Sequence, residues 1–489
     1  MTRLGTGGLC GIGAGIACFL GTALLGPSVF QPELEGSHAQ PPYALDVHPS
    51  PYLVIGLVVA GIAASTAGLG MCFAAVRKGW RVRALPLAAA GLLAAVAFLC
   101  MPPVGSTDHL NYASYGRMAA TGHDPYVTSA DDLSRDPVAG APEEWRTTPS
   151  VYGPIATGEQ ALAAWIGDGS VRLPVFVMSV VNVLAFAVTA LILYRTSRTE
   201  ERRLRTVLLW TCNPLVLFHL VAGAHNDVLA IAPMVAALAV FGQKTGWWRA
   251  LAAGALAGAG AAIKLPAALV AGGPAWTMLR ERSWRSLGGL AALVAGALAV
   301  TAGSYALAGP HALDQVRDAS DMVSFATPWH LVDESLGPGS QRDIIKTGAL
   351  LLGLVLFLLL VRALPGRDAD EHRRVAAALA LAWLLVAPYA LPWYDGFGWA
   401  LLALLPWTRI DWVLLAHTAA LSLAYLPARA PARIRLPDNL EWLFTVVRPT
   451  VIPWALLAIL TALVAACLRS SGRSPATGAR PRASAGSPG

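Results

Sequence analysis

Residues 84–126 read ALPLAAAGLLAAVAFLCMPPVGSTDHLNYASYGRMAATGHDPY. The first part, 84–101, carries no charge and has the length that crosses a hydrocarbon core of about 30 Å. Pro102 and Pro103 end the run, because proline lacks the backbone donor that a helix needs. The segment beyond them is dense in acids and aromatics and holds His109 and Arg117. An acid placed where a helix leaves the bilayer works at the membrane surface without the cost of a charge buried at its centre.

The rest of the chain repeats the apolar half of this pattern. Of 489 residues, 55% are hydrophobic and only 13% charged, whereas a soluble domain carries about 25% charged residues. Apolar runs fall at 8–29, 52–77, 84–101, 171–194, 204–221, 226–242, 249–263, 264–279, 286–308, 343–362, 374–390, 393–408, 410–426 and 448–468. They predict an all-α polytopic transmembrane bundle of about 12–14 spans. The short pairs 249–263/264–279 and 393–408/410–426 read as candidate half-helices. Ten-residue alternation of the β-barrel kind is absent. The first run is too long for a signal-peptide core and no clean cleavage site follows it.

Short loops at 77–83, 195–205, 244–249, 280–285 and 362–374 are rich in Arg and Lys, and the loops between them are rich in acids. The asymmetry places both termini in the cytoplasm and loops 30–51, 102–170, 309–342 and 427–447 outside. The net charge of +7 then follows from topology, and no nucleic-acid patch is needed to explain it. All six cysteines fall in apolar runs, with no pair at metal-ligand spacing; they read as small packing residues. Residues 1–469 form one multi-span domain. The 102–170 loop is too long for a bare connection and predicts short helices of its own. The tail 470–489, rich in Ser, Gly, Pro, Ala and Arg, reads as disordered and cytoplasmic.

With this topology the polar residues collect on one side. Asp108, Tyr112 and Tyr115 share a helical face at i, i+4 and i+7. An acid beside aromatic rings suits a sugar, whose hydroxyls bond to the carboxylate and whose apolar face packs on the rings. On spacing alone, Asp108 as a helix cap with the tyrosines as a membrane-interface belt is an equal reading. Asp124, Tyr126 and Tyr152 sit in turn-like Asp-Pro-Tyr and Tyr-Gly-Pro stretches. His225, Asn226 and Asp227 lie between two apolar runs, where Asn226 or Asp227 as a cap competes with a ligand role. Lys264 must find a partner or reach water; a snorkelling lysine is the plainer reading. Trp329, His330, Tyr394 and Asp395 complete the set.

These pieces, taken in order, resemble the actinobacterial polyprenol-phosphomannose-dependent α-1,6-mannosyltransferase family, membrane glycosyltransferases of GT-C type. The matching stretches are Asp108-His109-Leu110-Asn111-Tyr112 with Gly116-Arg117, Asp124-Pro125-Tyr126, Val151-Tyr152-Gly153-Pro154, Asn213-Pro214-Leu215 with Gly223-Ala224-His225-Asn226-Asp227, Lys264-Leu265-Pro266, and Pro392-Trp393-Tyr394. Many relatives carry paired acids where this chain has Asp108-His109. The resemblance implies a multi-pass plasma-membrane enzyme with an extracytoplasmic site. Polyprenyl-phosphate mannose is the implied donor and a mannan or glycolipid the acceptor, joined with inversion and without a metal or other cofactor. Asp108 is then the general base. Lys264, His225 and Arg117 are the candidates for the donor phosphate. His109, Tyr112, Tyr115, Asp124, Tyr126, Tyr152, Asn226, Asp227, Trp329, His330, Tyr394 and Asp395 are the candidates for sugar and acceptor binding. Two alternatives stand beside this reading: a related transferase using another lipid-linked sugar, such as arabinofuranose, or a protein acceptor; and a flippase for a polyprenyl-linked sugar. A flippase needs polar residues along a path through the membrane, and the centres of these runs hold almost none.

Overall fold

The computed structural model describes residues 3–242, 246–336, 341–366, 370–429 and 431–471. Lys244 and Arg367 of the basic loops, and the tail from 472 onward, lie outside them. The described chain is helical, with no named strand. The first helices are α1 (Arg3–Leu24), α2 (Pro51–Arg77), α3 (Ala84–Leu99), α4 (Asp108–Ala120), α5 (Pro154–Gly167) and α6 (Arg172–Thr196). Next come α7 (Glu200–Thr206), α8 (Pro214–Val216), α9 (Asp227–Val240), α10 (Trp247–Ala261), α11 (Gly272–Glu281), α12 (Trp284–Ala308) and the short α13 (Asp314–Ala319). The last are α14 (Pro328–Leu336), α15 (Gln341–Ala363), α16 (Glu371–Val386), α17 (Asp395–Ala403), α18 (Ile410–Ala424) and α19 (Ile452–Ser471).

Each predicted apolar run has a helical counterpart. By length and composition, 7 of the described helical stretches can cross a membrane, and Ala84–Leu99, Asp227–Val240 and Ile410–Ala424 are shorter apolar helices. Within the first short pair a 3-10 stretch, Leu265–Ala271, precedes α11, and at the start of the second another, Pro392–Tyr394, precedes α17. The 102–170 loop carries α4 and α5, the short helices its length called for.

The stretch Glu200–Ala222 is the axis of the bundle, buried along its whole apolar window. It is not a regular α-helix. Pro214 supplies no donor, so the chain re-caps there: the Asn213 side chain accepts from the Leu215 and Val216 amides. On either side of this break run π-type turns, Val207–Thr211 and Leu217–Ala222. The axis is tied at its start by Arg205, which is fully buried. Its guanidinium bonds both oxygens of Asp411 at 2.5 and 2.8 Å and the Leu402 and Leu405 carbonyls. A paired carboxylate and carbonyl acceptors are what make a buried guanidinium tolerable.

At the opposite end of the axis the polar loops knit together. Gln31 donates to the Pro102 carbonyl, Arg172 to Leu34 and Pro42, and Arg429 to Ser28 and to the Glu143 carboxylate. Val104 N–H donates to the Ala222 carbonyl at 2.8 Å and Gly105 N–H to Phe30. The polar segment that follows α3 is thereby pinned to the end of the buried axis, where the candidate site forms.

One residue of this cap carries a pH liability. Both carboxylate oxygens of Glu159, on α5, are buried without a hydrogen-bond partner. Burial pushes its pKa from 4.5 up to about 7. A carboxyl whose folded pKa is raised holds its proton longer when folded, so stability falls as pH rises from the unfolded pKa toward the folded one. Over that interval the loss is roughly 3 kcal/mol. Glu159→Gln is expected to raise the thermal midpoint at pH 8 and to change it little at pH 4.5. An equal shift at both pH values would show that charge is not the cause.

Candidate active site

Asp108 opens α4. Its amide donates to the Ser106 hydroxyl at 3.1 Å, which fixes where the helix starts. Its carboxylate is not spent on capping. Oδ2 lies 3.5 Å from the Tyr112 hydroxyl, one turn along α4, and 3.5 Å from Nδ1 of His225. Tyr112 also approaches His225 Nδ1 at 3.4 Å and receives the Tyr152 hydroxyl at 3.4 Å. Burial, with Asp108 adding to it, holds the Tyr112 phenol well above its ordinary pKa, and burial does the same for Tyr152. Both therefore stay neutral and donate. The Asp108 side chain is 14% exposed and His225 only 1%, so the acid is the open member of the cluster.

His225 is held from two sides. Its ring stacks on Trp393, centroids 3.7 Å apart. Beneath it, Ala224 adopts φ +52°, a conformation that costs an L-residue energy and is kept only where the surroundings enforce it. A Cβ on Gly223 would stand 2.7 Å from the His219 carbonyl oxygen and 2.7 Å from His225 Cδ2, so only glycine leaves the imidazole in place.

Asp227 and Lys264 form the second half of the site. Lys264 Nζ meets Asp227 Oδ1 at 2.7 Å and Oδ2 at 2.9 Å, and sits 4.0 Å above the centre of the Tyr394 ring. Asp227 is wholly buried, while the lysine side chain is 14% exposed. An ammonium has three N–H donors, so a donor remains on its open side.

The two halves meet through backbone. Gly153 N–H donates to the Ile263 carbonyl and Ile155 N–H to Ala262, both at 3.0 Å. A Cβ at Gly153 would lie 2.1 Å from the Ala262 oxygen. This glycine lets the Tyr152 turn press against the Lys264 segment. Gly153→Ala is expected to destabilise the protein by about 1–3 kcal/mol and to lower turnover, read as the thermal midpoint and the initial rate. An unchanged midpoint would mean that the two segments part without cost.

The structure thus brings Asp108, Tyr112, Tyr152, His225, Asp227, Lys264 and Tyr394 together. Tyr115 flanks them: its ring lies 6.4 Å from that of Tyr152 and its hydroxyl bonds the Thr148 carbonyl. His109 is buried beside Asp108 with both ring nitrogens unpartnered, and burial lowers its pKa to about 3; it is a neutral ring. Asn226 precedes α9 with its amide nitrogen buried and unpartnered.

Several expected site residues lie elsewhere. Arg117 sits near the other end of α4, paired with Asp136 at 3.0 Å; a cation so engaged is not with the cluster. Asp124 and Tyr126 also lie beyond that end of the helix, the Asp124 carboxylate accepting from the Tyr126 amide. Asp395 is 1% exposed and bonds His417 and Thr418 behind the site. Trp329 donates to the Val386 carbonyl and His330 faces Glu334. Trp393, stacked on His225, is a site residue that the sequence does not mark, since an aromatic in an apolar run reads as packing. His417 and Thr418, buried in α18, gave no local signal at all.

Among the described residues no group of three or more His, Cys, Asp or Glu side chains has the geometry to hold a metal ion.

Comparison with known proteins decides the family. The profile described as "Alpha-(1->6)-mannopyranosyltransferase, N-terminal domain" matches residues 9–280. The chain belongs to this family. It is 34% identical over 156 residues to a probable alpha-(1->6)-mannopyranosyltransferase of Mycolicibacterium smegmatis, covering 30% of this chain and 27% of the relative. It is 24% identical over 336 residues to alpha-(1->6)-mannopyranosyltransferase A of Mycobacterium tuberculosis, covering 62% of each. Alpha-(1->6)-mannopyranosyltransferase A of Corynebacterium glutamicum shares 28% over 138 residues, covering 26% of each. The chain thus spans about a quarter of the first of these relatives and under two thirds of the second. No solved structure matches it. The matched region holds every residue of the cluster except Trp393 and Tyr394.

Proposed function

We propose that the chain transfers mannose from polyprenyl-phosphate mannose to a hydroxyl of a mannan or glycolipid acceptor, forming an α-1,6-mannoside with inversion, through a GT-C type mechanism at the outer face of the plasma membrane. Family membership supports the mannosyl chemistry. The observation that carries the mechanism is the division of labour between two acids. Asp227 is wholly buried and bound to Lys264, whereas Asp108 is open, with Tyr112 and His225 each 3.5 Å from its Oδ2.

Asp108 is the general base. It takes the proton of the acceptor hydroxyl as that oxygen attacks the anomeric carbon. The bond from that carbon to the phosphate oxygen breaks, and the phosphate leaves with the electron pair. Inversion requires base and leaving group on opposite faces of the sugar. A phosphate is stable as an anion and needs charge support rather than a proton. Lys264, with its third N–H, and His225 supply that support. Tyr112, Tyr152 and Tyr394 offer hydroxyls and ring faces to the sugar.

The orientation rests on charge. The end opposite the site carries Arg202, Arg205, Arg280 and Arg373, and both described ends of the chain, Arg3 of α1 and Ser471 of α19, lie on that side of their helices. By the positive-inside rule this charge supports a site on the outer side.

The test is transfer itself. In proteoliposomes, label from polyprenyl-phosphate mannose is expected to pass to an oligomannoside acceptor, and linkage analysis to find a new α-1,6 bond. Donor that crosses the bilayer intact would make the chain a flippase. Activity with an arabinofuranosyl lipid alone would overturn the mannose donor.

A further inference from the structure

A cavity lies at the end of α4 away from Asp108. It is an open groove of about 630 Å³ between the loop after α4, the start of α5 and the last turns of α12. His123, Asp124, Tyr126, Ile155, Ser304 and Leu307 are among its walls. None of the proposed chemistry uses it.

The walls are fixed. Tyr126 is buried and its hydroxyl meets Thr157 at 2.9 Å, and Asp124 Oδ1 holds the Tyr126 amide at 2.9 Å. Asp124 Oδ2 accepts no hydrogen bond among the described residues. Leu307 is 92% exposed on one wall and Ile155 37% exposed on another. A carboxylate, hydroxyls and an imidazole alternate with bare aliphatic faces and two prolines, Pro125 and Pro154. That mixture matches a saccharide, whose hydroxyls and apolar ring faces alternate in the same way. The lining includes Asp124 and neither Lys nor Arg, which disfavours an anionic lipid headgroup.

The groove is coupled to the site by distance and by chain. Asp108 begins α4, and Ala119, which lines the groove, lies near its end. At 1.5 Å per residue the two are about 16 Å apart along the helix. The turn Tyr152-Gly153-Pro154 separates the two spaces: Tyr152 faces the cluster and Pro154 lines the groove.

We infer that the groove is a remote acceptor subsite, binding sugar units of the acceptor chain several residues away from the one being extended. This rests on the transferase reading. It makes the enzyme sense acceptor length, because a short acceptor reaches Asp108 without filling the groove.

Ile155→Trp and Ser304→Trp block the groove from opposite walls. Transfer from polyprenyl-phosphate mannose is measured with α-1,6-linked mannobiose and with a long linear α-1,6-oligomannoside. Either variant is expected to raise KM for the long acceptor about tenfold, with kcat and the mannobiose KM within about twofold of the unmodified enzyme. Equal effects on both acceptors, or an unmodified enzyme with the same KM for both, overturns the subsite. If no acceptor is mannosylated, the transferase reading fails, and calorimetric titration of the long oligomannoside decides the groove alone. Binding to the unmodified chain that either variant abolishes upholds a saccharide site; no binding overturns it.

Discussion

Asp108→Asn is expected to lower mannosyl transfer by about 10²–10⁴-fold, the usual contribution of a positioned general base. Asparagine keeps the volume, and its carbonyl oxygen still accepts from Tyr112, so the start of α4 and the hydrogen bonds around it survive. Only proton acceptance is lost. The side chain is 14% exposed, and its amide is held separately by Ser106, so folding is expected to hold. The rate is measured at saturating donor and acceptor, with the thermal midpoint and donor binding alongside. A loss in kcat with both controls intact assigns the base. Near-normal turnover would remove Asp108 from the chemistry, and the two acids weighed beside it are poorly placed to replace it. Asp227 is bound to Lys264, and Asp124 lies beyond the far end of α4.

The sequence made the bundle legible because a membrane span needs only length and apolarity, and both are local properties. The i, i+4 contact of Asp108 with Tyr112 was legible for a similar reason: helical periodicity places the pair on one face. What local spacing does not encode is which distant residue satisfies a charge. Lys264 stood out as a costly cation, but its partner is 37 positions away. Arg117 is a further candidate cation by sequence, but the structure sets Asp136 against it, in an irregular loop with no period to announce the meeting. Asp395 carried the same polar signal as Asp108 but faces inward, to His417 and Thr418. A polar residue at the end of an apolar run is equally suited to line a cavity or to satisfy the core behind it, and only packing separates the two.

That ambiguity sharpens the test of Lys264. Removing it alone leaves the Asp227 carboxyl at 0% exposure with no counter-charge, and breaking a buried pair from one side costs about 3–5 kcal/mol. Lys264→Met is therefore expected to unfold at a much lower temperature and to lose activity, which says nothing about catalysis. The informative variant removes both charges. Asp227→Leu with Lys264→Met replaces the pair by apolar groups of similar size, an exchange that is often neutral or stabilising. Its thermal midpoint is expected to return close to that of the unmodified protein. Turnover is not. If the free N–H of Lys264 supports the departing phosphate, the double variant folds but transfers mannose about 10²–10³-fold more slowly, as when one transition-state donor is removed. A double variant that recovers both stability and rate would make the pair a structural clasp between α9 and the segment after α10. The phosphate would then rest on His225, whose stack on Trp393 and strained Ala224 would be the site's main investment in the leaving group.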